Sequence, residues 1–320
     1  MDNDKPLYIP ENNSETRNQE ELTYRWTFDA LHHGKGKVLA SGSGSGNLLA
    51  SSGTSRVVHI LTYEGKIASQ VVPPSASTCV SLEWDANGEV LGIIQAASPV
   101  VVIWHLATKE LLEIDTTYKD LTFFKWSRSG DYFAIGTTKG SLLIYDKKTL
   151  QRKEIVNRNK RRVICGDWDS TDKCFAFATE DRQVTICNLD GVITNQIKVK
   201  CRPCSVLFSD NSLDSTILSV NLAGSTVLLY NATQKEASIE LAFQKQYGKI
   251  VSYHWLRGGH LIVGFSSGYL VLISTKPGDI GQEMLCSQIH EEGLVDMAHS
   301  DQRNLVACCS HTCVKLIDLD

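Results

Sequence analysis

The chain has 320 residues, 42% of them hydrophobic, 21% charged and 8% aromatic, a composition that supports a sizeable buried core and excludes global disorder. Its 32 Lys and Arg stand against 36 Asp and Glu, a formal charge of -4, so no strong field favours nucleic acid and no such partner is expected. No apolar run approaches the roughly 18 residues of a membrane-spanning helix, and the polar start lacks a secretory signal. A cytoplasmic chain without a transmembrane segment is therefore expected, and its ten cysteines read as small hydrophobes rather than disulfide halves.

Residues 1–21, with Pro6 and Pro10 among many Asn and Glu, read as a disordered tail. The segment LTYRWTF at 22–28 reads as a strand. GSGSG at 42–46 matches neither G-x-x-x-x-G-K-[ST] nor G-x-G-x-x-G, and reads as the first inter-strand turn, where glycine tolerates positive φ. Repeat one follows in GNLLASSGTSRVVHILT at 46–62, with Ser41 in the position that tryptophan takes further on.

Three central repeats then align without gaps on a tryptophan: SLEW at 81–84, FFKW at 123–126 and CGDW at 165–168, spaced by 42 and 42 residues. Each tryptophan leads into a polar turn (DANGEV, SRSGDY, DSTDKC), an apolar strand, a second turn and a third strand (VVVIWHL, SLLIYDK, QVTICNL). Strand, turn and strand without helical periodicity mark antiparallel hairpins. Repeat five, at 206–231, carries Phe208 in the tryptophan position, repeat six, at 253–274, restores Trp255, and repeat seven, at 296–318, places His299 there. A variable segment such as EGKIASQVV at 64–72 or ELLEID at 110–115 supplies an outer strand.

Four strands in each of seven repeats predict an all-β fold, a single seven-bladed β-propeller of WD type covering residues 22–320. A ring leaves no free end, unlike a solenoid. The last repeat stops before an outer strand of its own, so 22–28 is expected to complete blade seven and close the ring.

The chemistry of an enzyme is not legible. The nine histidines lack i, i+4 metal spacing, and Cys201-Arg-Pro-Cys204 is a C-x-x-C without a second pair. Cys308, Cys309 and Cys313 read as packing residues too, although nearby His311 makes a metal assay worthwhile. No G-x-S-x-G elbow exists, and turn formation accounts for Asp167, Asp169 and Asp172. The inner strands begin with mainly apolar runs, so no convergent polar set is expected in the central channel. No catalytic, cofactor-binding or metal residue is nominated, and no cofactor. One charge cluster stands out: Arg158, Lys160, Arg161 and Arg162 between blades three and four, preceded by Lys147, Lys148, Arg152 and Lys153. It reads as a solvated loop or as a surface for an acidic partner or anionic lipid. Asn231-Ala-Thr233 matches a glycosylation pattern that is expected to stay unmodified without secretion.

The repeats lack most Gly-His and Trp-Asp dipeptides of common WD repeats. In their place stand WSRSGDYFAIGTTKGSLLIYD at 126–146, Cys-Gly-x-Trp at 165–168, FQKQYGKIVSYHW at 243–255 and LIVGFSSGYLVLISTKPGDIGQE at 261–283. Together these resemble the N-terminal propeller of the WD-repeat subunit family of intraflagellar transport complex A, the WD repeat domain nineteen family, from about Gly46 to Asp320. The resemblance implies a non-catalytic scaffold in retrograde ciliary transport and in delivery of membrane proteins to the cilium. It further implies a place in the cytoplasm, the ciliary base and the axoneme. Implied partners are other complex A subunits, a tubby-like adaptor and membrane-protein cargo. A second propeller and a helical tail follow the domain in that family, so the chain reads as a fragment. The alternative function is a general propeller scaffold of a vesicle coat or a ubiquitin-ligase complex.

Overall fold

A computed structural model describes residues 7–8, 23–29, 39–42, 48–156, 161–209, 217–232 and 238–319. Its strands form seven sheets, each built on four antiparallel strands, and one sheet gains a short fifth strand in parallel. Blade one comprises Leu39–Gly42, Leu48–Ser52, Val58–Thr62 and Ile67–Val71, and blade two Cys79–Trp84, Val90–Gln95, Val100–His105 and Leu111–Asp115. Blade three comprises Leu121–Trp126, Tyr132–Thr137, Ser141–Asp146 and Arg152–Val156, and blade four Val163–Trp168, Cys174–Thr179, Gln183–Asn188 and Ile193–Lys198. Blade five holds Pro203–Phe208, Ile217–Leu222, Thr226–Asn231 and Ser238–Ala242, and blade six Ile250–Leu256, His260–Phe265, Tyr269–Ser274 and Glu283–Gln288. Blade seven has Asp296–Ser300, Leu305–Cys309 and Cys313–Asp318. Its fourth strand is Thr23–Asp29, antiparallel to Cys313–Asp318, with Phe28 opposite Val314 and Asp29 opposite Cys313. The expected closure by the N-terminal segment is thus observed, one residue further along than 22–28.

Burial explains the pattern in each repeat. The second strand lies between two neighbouring blades, so both its faces are covered and Val90–Gln95 is buried throughout, which is why such strands read as continuous apolar runs. The outer strand meets water and is mostly exposed, as in Leu111–Asp115. The innermost strand alternates between the neighbouring blade and the channel. In blades two to six its pairing carries a register shift near its start, between Cys79 and Ser81, Leu121 and Phe123, Val163 and Cys165, Pro203 and Ser205, and Ile250 and Ser252. A bulge of this kind sharpens the local twist of these five blades.

The core lies between the blades rather than within one. Among the described residues, a cluster joins Ile60 and Val71 of blade one to Trp84 and Ile93 of blade two, and another joins Ile94 and Val101 to Phe124 and Trp126. The sequence of clusters continues around the ring and ends with Leu49 and Leu61 of blade one against Ala307 and Leu316 of blade seven. Blade seven therefore packs on blade one, and the ring is closed. The tryptophans set the repeat physically. Trp126 Nε1 donates to the Glu83 carbonyl at 3.1 Å and Trp168 Nε1 to the Lys125 carbonyl at 3.3 Å, so these two indoles each tie their blade to the one before, one repeat length back.

Of segment 1–21, Leu7–Tyr8 is a short strand parallel to Ser238–Ala242, with Leu7 opposite Leu241; the rest lies outside the described residues. The expected turn at 42–46 falls between Leu39–Gly42 and Leu48–Ser52, with 43–47 likewise outside them.

Candidate functional site

On the innermost strands the residue before each framework aromatic faces the channel, because alternate side chains point to opposite faces. In blades two to seven these residues are Glu83, Lys125, Asp167, Leu207, His254 and Ala298. They approach a cavity of about 580 Å3 at the C-terminal ends of the strands, lined among others by Glu83, Lys125, Arg128, His254, Arg257 and His299. The expectation of mainly apolar inner strands misses this set. Four of six positions are ionisable, although each stands alone in an apolar strand.

Their charges are arranged in a chain. Lys125 Nζ lies 2.8 Å from Glu83 Oε1 and 3.8 Å from Asp167 Oδ1, and Arg128 Nη2 lies 3.1 Å from Asp167 Oδ2. Burial works against the Lys125 ammonium, but the Glu83 and Asp167 carboxylates outweigh it and raise its pKa. Asp167 is fully buried and also accepts the Phe208 backbone N–H at 2.9 Å. The expectation that a turn explains Asp167 is therefore corrected: it sits within Val163–Trp168 and links blade four to blades three and five. Asp172 accepts the backbone N–H groups of Arg128 and Ser129, both at 2.7 Å, so it too ties two blades. Asp169 does cap its own turn, accepting Cys174 N–H at 2.8 Å.

Across the cavity, the His254 and His299 rings lie 6.1 Å apart. His254 Nε2 bonds the Met297 carbonyl at 3.1 Å, and His299 Nδ1 lies 3.5 Å from Asp301 Oδ1. Burial, reinforced by His299 for His254 and by Arg257 for His299, lowers both to about 4. At neutral pH the two imidazoles are uncharged, and the mouth offers polar hydrogen-bonding groups around an internally compensated ion chain. Among the described residues no three His, Cys, Asp or Glu side chains are placed to hold a metal ion. His311 is exposed, as are Cys201 and Cys204.

The basic residues of blades three and four divide. Arg161 and Arg162 are exposed, whereas Arg158 and Lys160 lie outside the described residues. Of those preceding, Lys147 reaches back to blade two, 3.0 Å from buried Asp85 and over the Trp126 ring at 5.1 Å. Arg152 donates to the Thr116 carbonyl at 2.8 Å, and Lys153 pairs forward with Asp190 at 3.0 Å. Their charge is engaged between blades.

A profile of the family described as WDR19 first beta-propeller matches residues 39–320, from the inner strand of blade one to the end of the chain. This chain belongs to that family. WDR19 propeller relatives include WD repeat-containing protein 19 of Homo sapiens and of Mus musculus, each 32% identical over 282 residues, 86% of this chain and 21% of the relative. WD repeat-containing protein dyf-2 of Caenorhabditis elegans is 23% identical over 320 residues, 95% of this chain and 23% of the relative. The chain thus spans about a fifth of the length of these WDR19-type relatives.

Proposed function

We propose that this WD-repeat propeller is a non-catalytic docking scaffold of intraflagellar transport complex A, acting in retrograde ciliary transport and in delivery of membrane proteins to the cilium. The family match across all seven blades carries this reading. A rigid ring with two faces of variable loops suits the role, since loops on a fixed scaffold carry recognition. The proposed partners are other complex A subunits, a tubby-like adaptor and membrane-protein cargo. The proposed location is the cytoplasm, the ciliary base and the axoneme. Arg158, Lys160, Arg161 and Arg162 form the proposed surface for an acidic partner or anionic lipid headgroups. Replacing all four by Ala is expected to weaken such binding without lowering the melting temperature; unchanged affinity retires that surface.

Affinity purification of the tagged chain from a ciliated cell, read by mass spectrometry, tests the scaffold. Complex A subunits are the expected catch. Vesicle-coat or ubiquitin-ligase components would support the general scaffold instead, and an empty catch with folded protein would refute docking by the propeller alone.

The channel mouth supports a second reading. A cavity of about 580 Å3 is of ligand-site size, and its ion chain and neutral imidazoles suit a short polar peptide. Peptide-array binding lost in Lys125→Met, with fold retained, would support it; binding unchanged in that variant would place the peptide elsewhere.

A further inference from the structure

Away from the channel mouth, the connector between blades six and seven brings His290 against the turn that opens Cys313–Asp318. The connector is held closely: His290 N–H and Ile289 N–H both approach the Gly268 carbonyl, at 3.3 and 2.8 Å. Gly268 has φ +83°, and a Cβ there would meet the His290 carbonyl oxygen at 1.7 Å, so only glycine admits this approach. The imidazole is 4% exposed, and its Nε2 lies 2.9 Å from the Cys308 carbonyl oxygen. A carbonyl only accepts, so Nε2 carries the proton and Nδ1 carries the lone pair. That lone pair faces Cys313 Sγ at 3.7 Å, with Ser310 Oγ 3.6 Å from the same sulfur. Cys313 is half-buried, whereas Cys308 and Cys309 are fully buried.

A nucleophile, a base in contact with it and a third group fixing the base's tautomer form the arrangement that activates thiols. We propose that Cys313 is a covalent S-modification site, a thiol that His290 readies for soft carbon electrophiles. Its strand pairs with Thr23–Asp29, with Cys313 opposite Asp29, so an adduct forms at the seam that closes the ring. With iodoacetamide the Sγ–C bond forms as the C–I bond breaks. Iodide leaves with the bonding pair, and the thiol proton passes to His290 Nδ1 and on to water.

The test is the alkylation rate of each cysteine in the folded chain at pH 7, mapped by mass spectrometry with limiting iodoacetamide. Cys201 and Cys204 are exposed and set the scale for unassisted thiols. Cys313 is expected to react about fivefold or more faster than either of them, despite its lesser exposure. In His290→Gln, which keeps a donor for the Cys308 carbonyl but has no base, the rate is expected to fall to theirs or below. A Cys313 slower than the exposed thiols, or equally fast in a folded His290→Gln, would overturn the proposal and leave the pair as a packing contact. Should that variant fail to fold, the native chain still decides: Cys313 reacting faster folded than in urea supports activation, and slower refutes it.

Discussion

Replacing Asp167 by Ala removes a fully buried carboxylate that serves three blades at once. Two cations each lose one partner, Arg128 at 3.1 Å and Lys125 at 3.8 Å, with Lys125 keeping Glu83 at 2.8 Å, and the Phe208 N–H loses its acceptor at 2.9 Å. Breaking a buried pair costs about 3–5 kcal/mol, but Arg128 and Lys125 keep 34% and 24% exposure and Lys125 keeps Glu83, so about 2–3 kcal/mol is the appropriate share. The orphaned amide adds about 1–2 kcal/mol, for a total of about 3–5 kcal/mol. At roughly 2.1 cal/mol/K per residue, a chain of this length melts about 1.5 °C lower for each kcal/mol lost. The expected fall is therefore about 4–8 °C by differential scanning calorimetry. Asp167→Asn keeps the shape and an acceptor oxygen for Phe208 and is expected to lose about half as much. An Asp167→Ala protein within about 1 kcal/mol of the parent would refute the bridging role.

Trp168→Ala empties a fully buried site where the indole stacks edge-on against Phe175 at 4.9 Å and is expected to cost about 3–5 kcal/mol in urea unfolding; a loss under about 1 kcal/mol would mean the interface repacks. His254 and His299 titrate at about 4 when folded and near 6.5 when unfolded, so between these values the unfolded chain binds more protons and stability falls as pH falls. The slope is up to about 1.4 kcal/mol per pH unit for each, and His299→Asn is expected to flatten it in urea titrations at pH 4.5 to 6.5; an unchanged slope would place the sensitivity elsewhere. Glu283 is buried, raised by that burial and hydrogen-bonded by Tyr247 at 3.3 Å to each oxygen. Its folded pKa lies above the unfolded one, so it weakens the fold as pH rises. Glu283→Gln is expected to lose less stability, or gain up to roughly 1–2 kcal/mol, at pH 8 relative to pH 5; melting curves showing the opposite order would contradict this.

The ring was legible because its period has a physical cause. An indole bonded one repeat length back, as in Trp126 to Glu83 and Trp168 to Lys125, requires a fixed spacing, and apolar second strands keep the register where Ser41, Phe208 and His299 replace tryptophan. The missing outer strand of blade seven pointed to its donor at the other end of the chain. The channel was not legible in the same way, because Glu83, Lys125, Asp167 and His254 stand one or two repeats apart and only curvature gathers them. The available signal was the residue before each framework aromatic, read down the repeats instead of along the chain. The basic run misleads for a related reason: adjacent residues of an outer strand face opposite ways, so Arg152 reaches blade two while Lys153 reaches blade four.

Hydrogen exchange on the full chain and on a variant lacking residues 1–30 tests ring closure most directly. With Thr23–Asp29 gone, the edge of Cys313–Asp318 is open to water, and the packing of Leu316 and Ala307 on Leu49 loses its support. Protection is expected to collapse across Leu305–Cys309 and Cys313–Asp318 while blades two to four stay protected. Unchanged protection in those two strands would contradict a ring closed by its N-terminal strand.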